Sequence, residues 1–247
     1  MNKIGIYYIS TGSYKNYFPK YLSSINNFFP QFEKDLLILS DGLKEYDGKE
    51  INNCNIKVIH IEDFPWPLNT LLKTQYFSKY KLENEIICYF NGNAVFYEKG
   101  NKYYENLLKK IEDNKFICSK HAAKGDEYSN FECLSLSEDN SRSISYIGNK
   151  NYMYVQGGFL ISKNVMFYQY CNEVNEMLSV DLRNKVMPRW DDETYFNKWV
   201  YIHDYIKHDI SFCKKHFMSY DSYTNNEINK TDDCLLNLAN GKFKKEK

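Results

Sequence analysis

Residues 3–10, Lys-Ile-Gly-Ile-Tyr-Tyr-Ile-Ser, are apolar at almost every position and rich in β-branched and aromatic side chains. A strand with one wet face alternates polar and apolar, so an unbroken run of this length reads as a strand covered on both faces. Thr11-Gly12-Ser13 breaks the run, and from Tyr14 apolar residues recur at Phe18, Tyr21, Leu22, Ile25 and Phe29, the stripe of a helix packed on a sheet. The alternation then repeats. Leu36–Leu39 ends at Ser40-Asp41-Gly42, and Ile56–Ile61 precedes Pro65-Trp66-Pro67 and a helix over about 69–80. A strand over Glu85–Phe90 is interrupted at Asn91-Gly92-Asn93 and resumes at Ala94-Val95-Phe96. A helix over about 103–111 and a strand over Phe116–Ser119 come next, then a strand over Tyr152–Ile161 and helices over Val165–Leu178 and Asp191–Ile202. Repeated strand–helix units imply an α/β fold, a mainly parallel twisted sheet flanked by helices, which takes ligands at the carboxyl ends of its strands.

Composition narrows the function classes. At 247 residues, with 43% hydrophobic side chains, one domain spanning 1–247 is expected. Lys plus Arg equals Asp plus Glu at 32 each, so no overall positive field draws the chain to nucleic acid. No apolar run is long enough to span a bilayer, and Met1-Asn2-Lys3 leads straight into strand-like residues without a signal-peptide stretch. The expected location is cytoplasmic, or peripheral at the inner face of the membrane. Seven widely spaced cysteines with no C-x-x-C pair read as reduced, mostly buried thiols, not as a zinc or redox site. Of the histidines, His60, His203, His208 and His216 show no ligand spacing.

Three segments could carry chemistry. Asn91-Gly92-Asn93 sits between apolar strand halves. It reads either as a turn or bulge, or as a counterpart of the acidic Asp-x-Asp site that holds a cation against a nucleotide-sugar diphosphate, with amides replacing both carboxylates. Amides are poor ligands for hard cations, so no metal is expected here. Trp190-Asp191-Asp192-Glu193 opens a helix. Acids there serve the helix dipole, or a first-turn carboxylate is aimed into a cleft at an oxocarbenium-like centre, beside an aromatic surface for a sugar. Gln156-Gly157-Gly158 lies where a strand lets a ligand approach closely, although paired glycines also mark bulges.

In order and spacing, these segments resemble glycosyltransferase family 6, the retaining α1,3-galactosyl and N-acetylgalactosaminyl transferases, over roughly residues 4–202. Ile4–Tyr14 is similar to the family's first strand and uridine loop, and Trp66-Pro67-Leu68-Asn69-Thr70-Leu71 to a segment of its bacterial branch. Phe90-Asn91-Gly92-Asn93 resembles the branch's Asn-x-Asn variant, Tyr154–Gly158 its donor-sugar strand, and Trp190–Glu193 its W-H-D-E. Asp191 stands in place of the family's His, Lys73 in place of an Arg near the diphosphate, and His121-Ala122-Ala123 in place of His-Pro-Gly.

The resemblance implies a GT-A-type glycosyltransferase domain, with a nucleotide-binding part over about 1–120 and an acceptor side over about 121–247, and transfer of GalNAc, or Gal, from a UDP-sugar to a galactose-terminated oligosaccharide or glycolipid. It implies that Ile9, Ser10, Thr11 and Tyr14 meet uridine, Asn91 and Asn93 the ribose and diphosphate, and Gln156, Gly157 and Gly158 the donor sugar. Gly158 would leave room for a 2-acetamido group, which favours GalNAc, although Gln156 could fill the same space. His121, Trp190 and Asp192 would meet the acceptor or orient the donor, with Glu193 as the catalytic carboxylate. Without a metal, the charge on UDP falls to cations of the protein, Lys73 or the tail lysines Lys242, Lys244 and Lys245, which equally read as a solvated basic terminus. Met218, Tyr220 and Asp221 stay unassigned. The competing reading is a non-catalytic glycan- or nucleotide-sugar-binding module that keeps the fold and lacks turnover. Asp192 and Glu193 argue against it, since binding alone needs no aimed carboxylate.

Overall fold

A computed structural model describes residues 3–113, 116–120, 138–148, 152, 154–203, 217–219 and 236–238. The strands are β1 (Lys3–Ser10), β2 (Glu33–Ser40), β3 (Glu50–Ile51), β4 (Cys54–His60), β5 (Ile86–Phe90), β6 (Ala94–Phe96), β7 (Ile117–Lys120), β8 (Val155–Lys163), β9 (Phe217–Ser219) and β10 (Leu236–Leu238). The α-helices are α1 (Phe18–Ser24), α2 (Leu68–Leu71), α3 (Lys73–Lys79), α4 (Asn101–Glu112), α5 (Asn164–Arg183) and α6 (Asp191–Ile202).

Seven strands form one sheet in the order β3-β4-β2-β1-β5-β8-β7. Strands β1, β2, β4, β5 and β7 run one way, β3 and β8 the other, so the sheet is mostly parallel. The fold is α/β, consistent with a GT-A glycosyltransferase. Both faces are covered, which is why β1 carries no polar alternation. Ile4, Ile6 and Tyr8 pack with Phe18, Tyr21 and Leu107 on one side, and Tyr7 with Phe77, Phe167 and Trp199 on the other. Cys54, Cys88, Cys118 and Cys171 are free thiols buried in these layers.

The chain builds outward from β1 through β2 to β4 and then returns to set β5 on the other flank of β1. Such a reversal opens a crevice beyond the carboxyl ends of the two diverging strands. Here those ends are Ser10 and Phe90, and the loops leaving them carry Thr11–Tyr14 and Asn91–Asn93.

Three local expectations are corrected. Ala94–Phe96 does not resume β5: it pairs antiparallel with β10 in a separate three-stranded sheet, because the turn at Asn91–Asn93 redirects the chain. The helix expected over 69–80 is two short helices, divided at Leu72, whose φ of −87° and ψ of 2° lie outside the helical basin. The helix expected from Tyr14 begins as a 3₁₀ turn over Gly12–Tyr17 and becomes α-helical only at Phe18.

Candidate active site

The two loops at the crevice touch. A Cβ on Gly92 would lie 2.8 Å from the Ile9 carbonyl oxygen and 3.4 Å from the Tyr14 ring, so only glycine lets the β5 turn close on the end of β1. The Tyr8 hydroxyl donates to the Gly92 carbonyl at 2.9 Å, fixing that approach from below. Ser10 and Asn93 are buried, Ile9, Thr11 and Asn91 half-buried, and Tyr14 exposed. Thr11 is held from a third element, since Asn69 Nδ2 donates to its Oγ1 at 3.0 Å while Asn69 Oδ1 accepts from Tyr76 at 3.1 Å.

Strand β8 supplies the next part. Being antiparallel, it starts at the carboxyl ends of its parallel neighbours. Cys118 of β7 faces Leu160 and the next residue, Ser119, faces Gln156, so the β7 register skips residues 157–159. This bulge releases the Gly157 backbone from the β7 ladder for side chains of two helices. Its N–H donates to Glu193 Oε2 at 2.8 Å, and its carbonyl accepts from Lys73 Nζ at 2.6 Å. A Cβ on Gly157 would sit 2.8 Å from Asp192 Oδ2, 3.2 Å from Lys73 Nζ and 3.4 Å from Glu193 Cβ. The paired glycines are therefore both a bulge and a point of close approach.

Gly158 carries a correction. The space above it, read as room for an acetamido group, is occupied by the Asn91 side chain, and the Asn91 N–H donates to the Gly158 carbonyl at 3.0 Å. Gln156 beside it is buried. The Asn-Gly-Asn turn and the paired glycines thus form one continuous surface.

The carboxylates at the start of α6 meet different partners, as a step of about 100° per helical residue requires. Asp192 pairs with Lys73, both buried, and the Lys73 Nζ also lies 4.9 Å from the centre of the Tyr89 ring. Lys73, read as a cation for a diphosphate, is thus engaged with a carboxylate and a carbonyl. Burial raises the Asp192 carboxyl above its ordinary value, against the pull of Lys73. Glu193 is half-buried, with the Tyr154 hydroxyl close enough to act on its charge. Burial pushes the Glu193 carboxyl up to about 7, with the charge of Asp192 adding to the rise, while the Gly157 N–H, Tyr154 and Lys73 oppose it. Asp191, at a left-handed φ of 47°, is raised to about 6 by burial and by Asp192. Trp190 is 42% exposed, with the Arg189 guanidinium 5.6 Å from its ring centre. His121, Tyr220, Asp221, His208, His216, Lys242, Lys244 and Lys245 lie outside the described residues.

Sequence reasoning overlooked Asn197. Buried one turn beyond Glu193, its Oδ1 accepts from the Val155 N–H at 2.8 Å, and its Nδ2 donates to the Val155 carbonyl at 2.9 Å and the Glu193 carbonyl at 2.8 Å. The amide imitates a strand partner for β8 and ties it to α6, setting Gly157 against Glu193. Its position four residues after Glu193, on the same helical face, was the available signal. Asn197→Ala would orphan two buried backbone groups, so a loss of about 2–4 kcal/mol in urea unfolding is expected. An unchanged midpoint would show that α6 holds its place without the clamp.

The site therefore runs from the β1–β5 crevice, over the turn amides and glycines, to a carboxylate at its far end. A glycosyltransferase of Escherichia coli, the O-antigen biosynthesis glycosyltransferase WbnI, is 33% identical to the chain over 208 residues, covering 80% of this chain and 82% of that protein. The chain belongs to a glycosyltransferase family. No protein-family model matches it. Membership makes a sugar donor and a glycan acceptor its substrates and transfer its chemistry. Among the described residues of this glycosyltransferase, no helix is long and apolar enough to cross a membrane.

Proposed function

We propose that the chain is a retaining α1,3-glycosyltransferase that moves GalNAc, or Gal, from its UDP donor to a galactose-terminated glycan, without a divalent metal. The observation that carries this reading is the Glu193 carboxylate held by the Gly157 N–H at 2.8 Å, at the end of a surface that begins at the β1–β5 crevice. In this reading uridine lies against Ile9–Thr11 and Tyr14, the diphosphate passes Asn91 and Asn93, and the sugar rests beside Gly157, against the Asn91 amide that covers Gly158. As the bond from the anomeric carbon to UDP breaks, Glu193 meets the positive charge, either as nucleophile or as electrostatic stabiliser. Trp190 offers its ring to the acceptor. The role of WbnI in O-antigen biosynthesis supports a glycan or glycolipid acceptor of that kind.

The amides of Asn91 and Asn93 support metal independence, because neutral oxygens attract a hard dication weakly. Lys73, buried and engaged with Asp192 and the Gly157 carbonyl, is not offered to the diphosphate as a free cation. Full activity in excess EDTA is expected, and a strict requirement for Mn²⁺ would overturn this part of the reading.

The Asn91 amide above Gly158 offers a hydrogen-bonding group to a 2-acetamido or a 2-hydroxyl substituent, and we favour GalNAc. The test is UDP release from UDP-GalNAc and UDP-Gal with a panel of galactosides, with the anomeric configuration of the product read by NMR. An α-linked product is expected. A β-linked product would exclude retention, and absence of release from either donor would favour a binding module.

A further inference from the structure

The formal charges of the chain cancel, yet one corner of its surface is strongly one-sided. Where α5 ends and the chain turns toward α6, Leu182 and Met187 stand 43% and 48% exposed, and Ile144 of the neighbouring segment is 39% exposed. Buried polar bonds hold the two segments side by side. The Asp181 carboxylate accepts from the Ile144 N–H at 2.9 Å and from Ser143 Oγ at 2.5 Å, and Glu138 accepts from the Arg189 N–H at 2.6 Å. Asp181, Val186 and Pro188 turn inward, so the residues between them face out. Among those are Arg183, Lys185 and Arg189, joined by Arg142 from the adjoining segment, and all four are exposed. Within residues 138–144 and 181–190, the exposed acid is Asp139, which pairs with Arg189 at 3.0 Å.

Exposed aliphatic side chains ringed by arginine and lysine form a combination that neither water nor a polyanion alone rewards. Nucleic acid would use the cations and leave Leu182, Met187 and Ile144 idle. An anionic bilayer uses both, with the aliphatics entering the boundary between headgroups and acyl chains while the cations meet lipid phosphates. We propose that this face docks the enzyme on an anionic lipid surface. Trp190 lies directly after it in sequence, so docking would bring the acceptor side of the site to the membrane, where a lipid-carried glycan resides. That last step rests on the proposed function, whereas the docking itself does not.

The full chain is tested by co-sedimentation with phosphatidylcholine vesicles, with and without phosphatidylglycerol, at low and high salt. Binding is expected to the anionic vesicles only and to weaken with salt. Arg183→Glu with Lys185→Glu should weaken it by about 30-fold or more, as loss of two cations at an anionic surface implies. Leu182→Ser with Met187→Ser should weaken it while leaving its salt dependence unchanged. UDP release on a soluble acceptor and far-UV circular dichroism should match wild type in both variants, which separates loss of docking from loss of fold or of the proposed chemistry. The proposal is overturned if wild type ignores anionic vesicles, if it binds neutral ones equally, or if both double variants bind as wild type does. That last result would place the membrane contact elsewhere on the chain.

Discussion

Glu193→Gln is expected to lower kcat by about 10²–10³-fold, the usual cost of removing one preorganised electrostatic group, with the donor KM within a few fold of wild type. The amide keeps the shape of the side chain and can still accept the Gly157 N–H, but it cannot carry the charge that the proposed chemistry requires at the anomeric centre. With the carboxyl raised to about 7 by burial, the wild-type rate at saturating substrate should climb with pH through about 7 and then level. That limb should vanish in the variant. Stability should move the other way. A carboxyl raised in the folded state from 4.5 to about 7 favours folding most below about 4.5, and this contribution is lost as pH rises through about 7. Above that pH the fold carries a strained charge, and Glu193→Gln should raise Tm by about 2–4 °C, the shift that about 1 kcal/mol produces in a domain of this size. Near-native kcat would move the catalytic role to Asp191 or Asp192.

Lys73→Met should be the most destabilising of the site variants. It leaves the Asp192 carboxylate buried without its cation, and breaking a buried pair from one side costs about 3–5 kcal/mol. The loss should shrink toward acid pH, where Asp192, already raised by burial, can take a proton and become neutral. Combining Lys73→Met with Asp192→Leu should recover much of the stability, because no charge is then left buried, while activity stays low. Urea unfolding of the four proteins of this cycle gives the coupling directly. Additive losses would mean that the pair is not the unit that holds α3, β8 and α6 together.

Much of the frame was legible in the sequence, for a physical reason. Strands β1, β2 and β5 are buried on both faces over nearly their whole length, so their apolar runs are dense and end abruptly at turn residues such as Ser40-Asp41-Gly42. Helix α6 could be bounded at Asp191 and Ile202 because acids open it and its apolar face recurs with helical period. The site was legible as a set of segments and not as a set of partnerships. The sequence places Lys73 far from Asp192 and has no symbol for their ion pair, which exists because α3 and α6 pack against the same glycine. Nor does Gly158 announce that an amide lies over it, since Asn91 reaches it only through the pairing of β5 with β8. Ala94–Phe96 continues the apolar run of β5 by composition, and only the turn at Asn91–Asn93 assigns it to the other sheet.

The direction of β8 carries a further consequence. A parallel strand reaches the site after crossing the sheet, so its last residues are anchored by the whole ladder behind them. Strand β8 begins at the site, where its first residues pair with the end of β7 and Asn197 clamps Val155, and β5 joins the ladder only from Phe159. Insertions or deletions before residue 155 can therefore accumulate in descendants without shifting the register from Leu160 onward, which pairs with β5 and β7 alike. The end of the crevice fixed by β1 and β5 has no such freedom. Related chains should keep the β1–β5 end nearly constant while lengths and sequences just upstream of β8 drift, so that new acceptors arise by remodelling one side of an inherited framework.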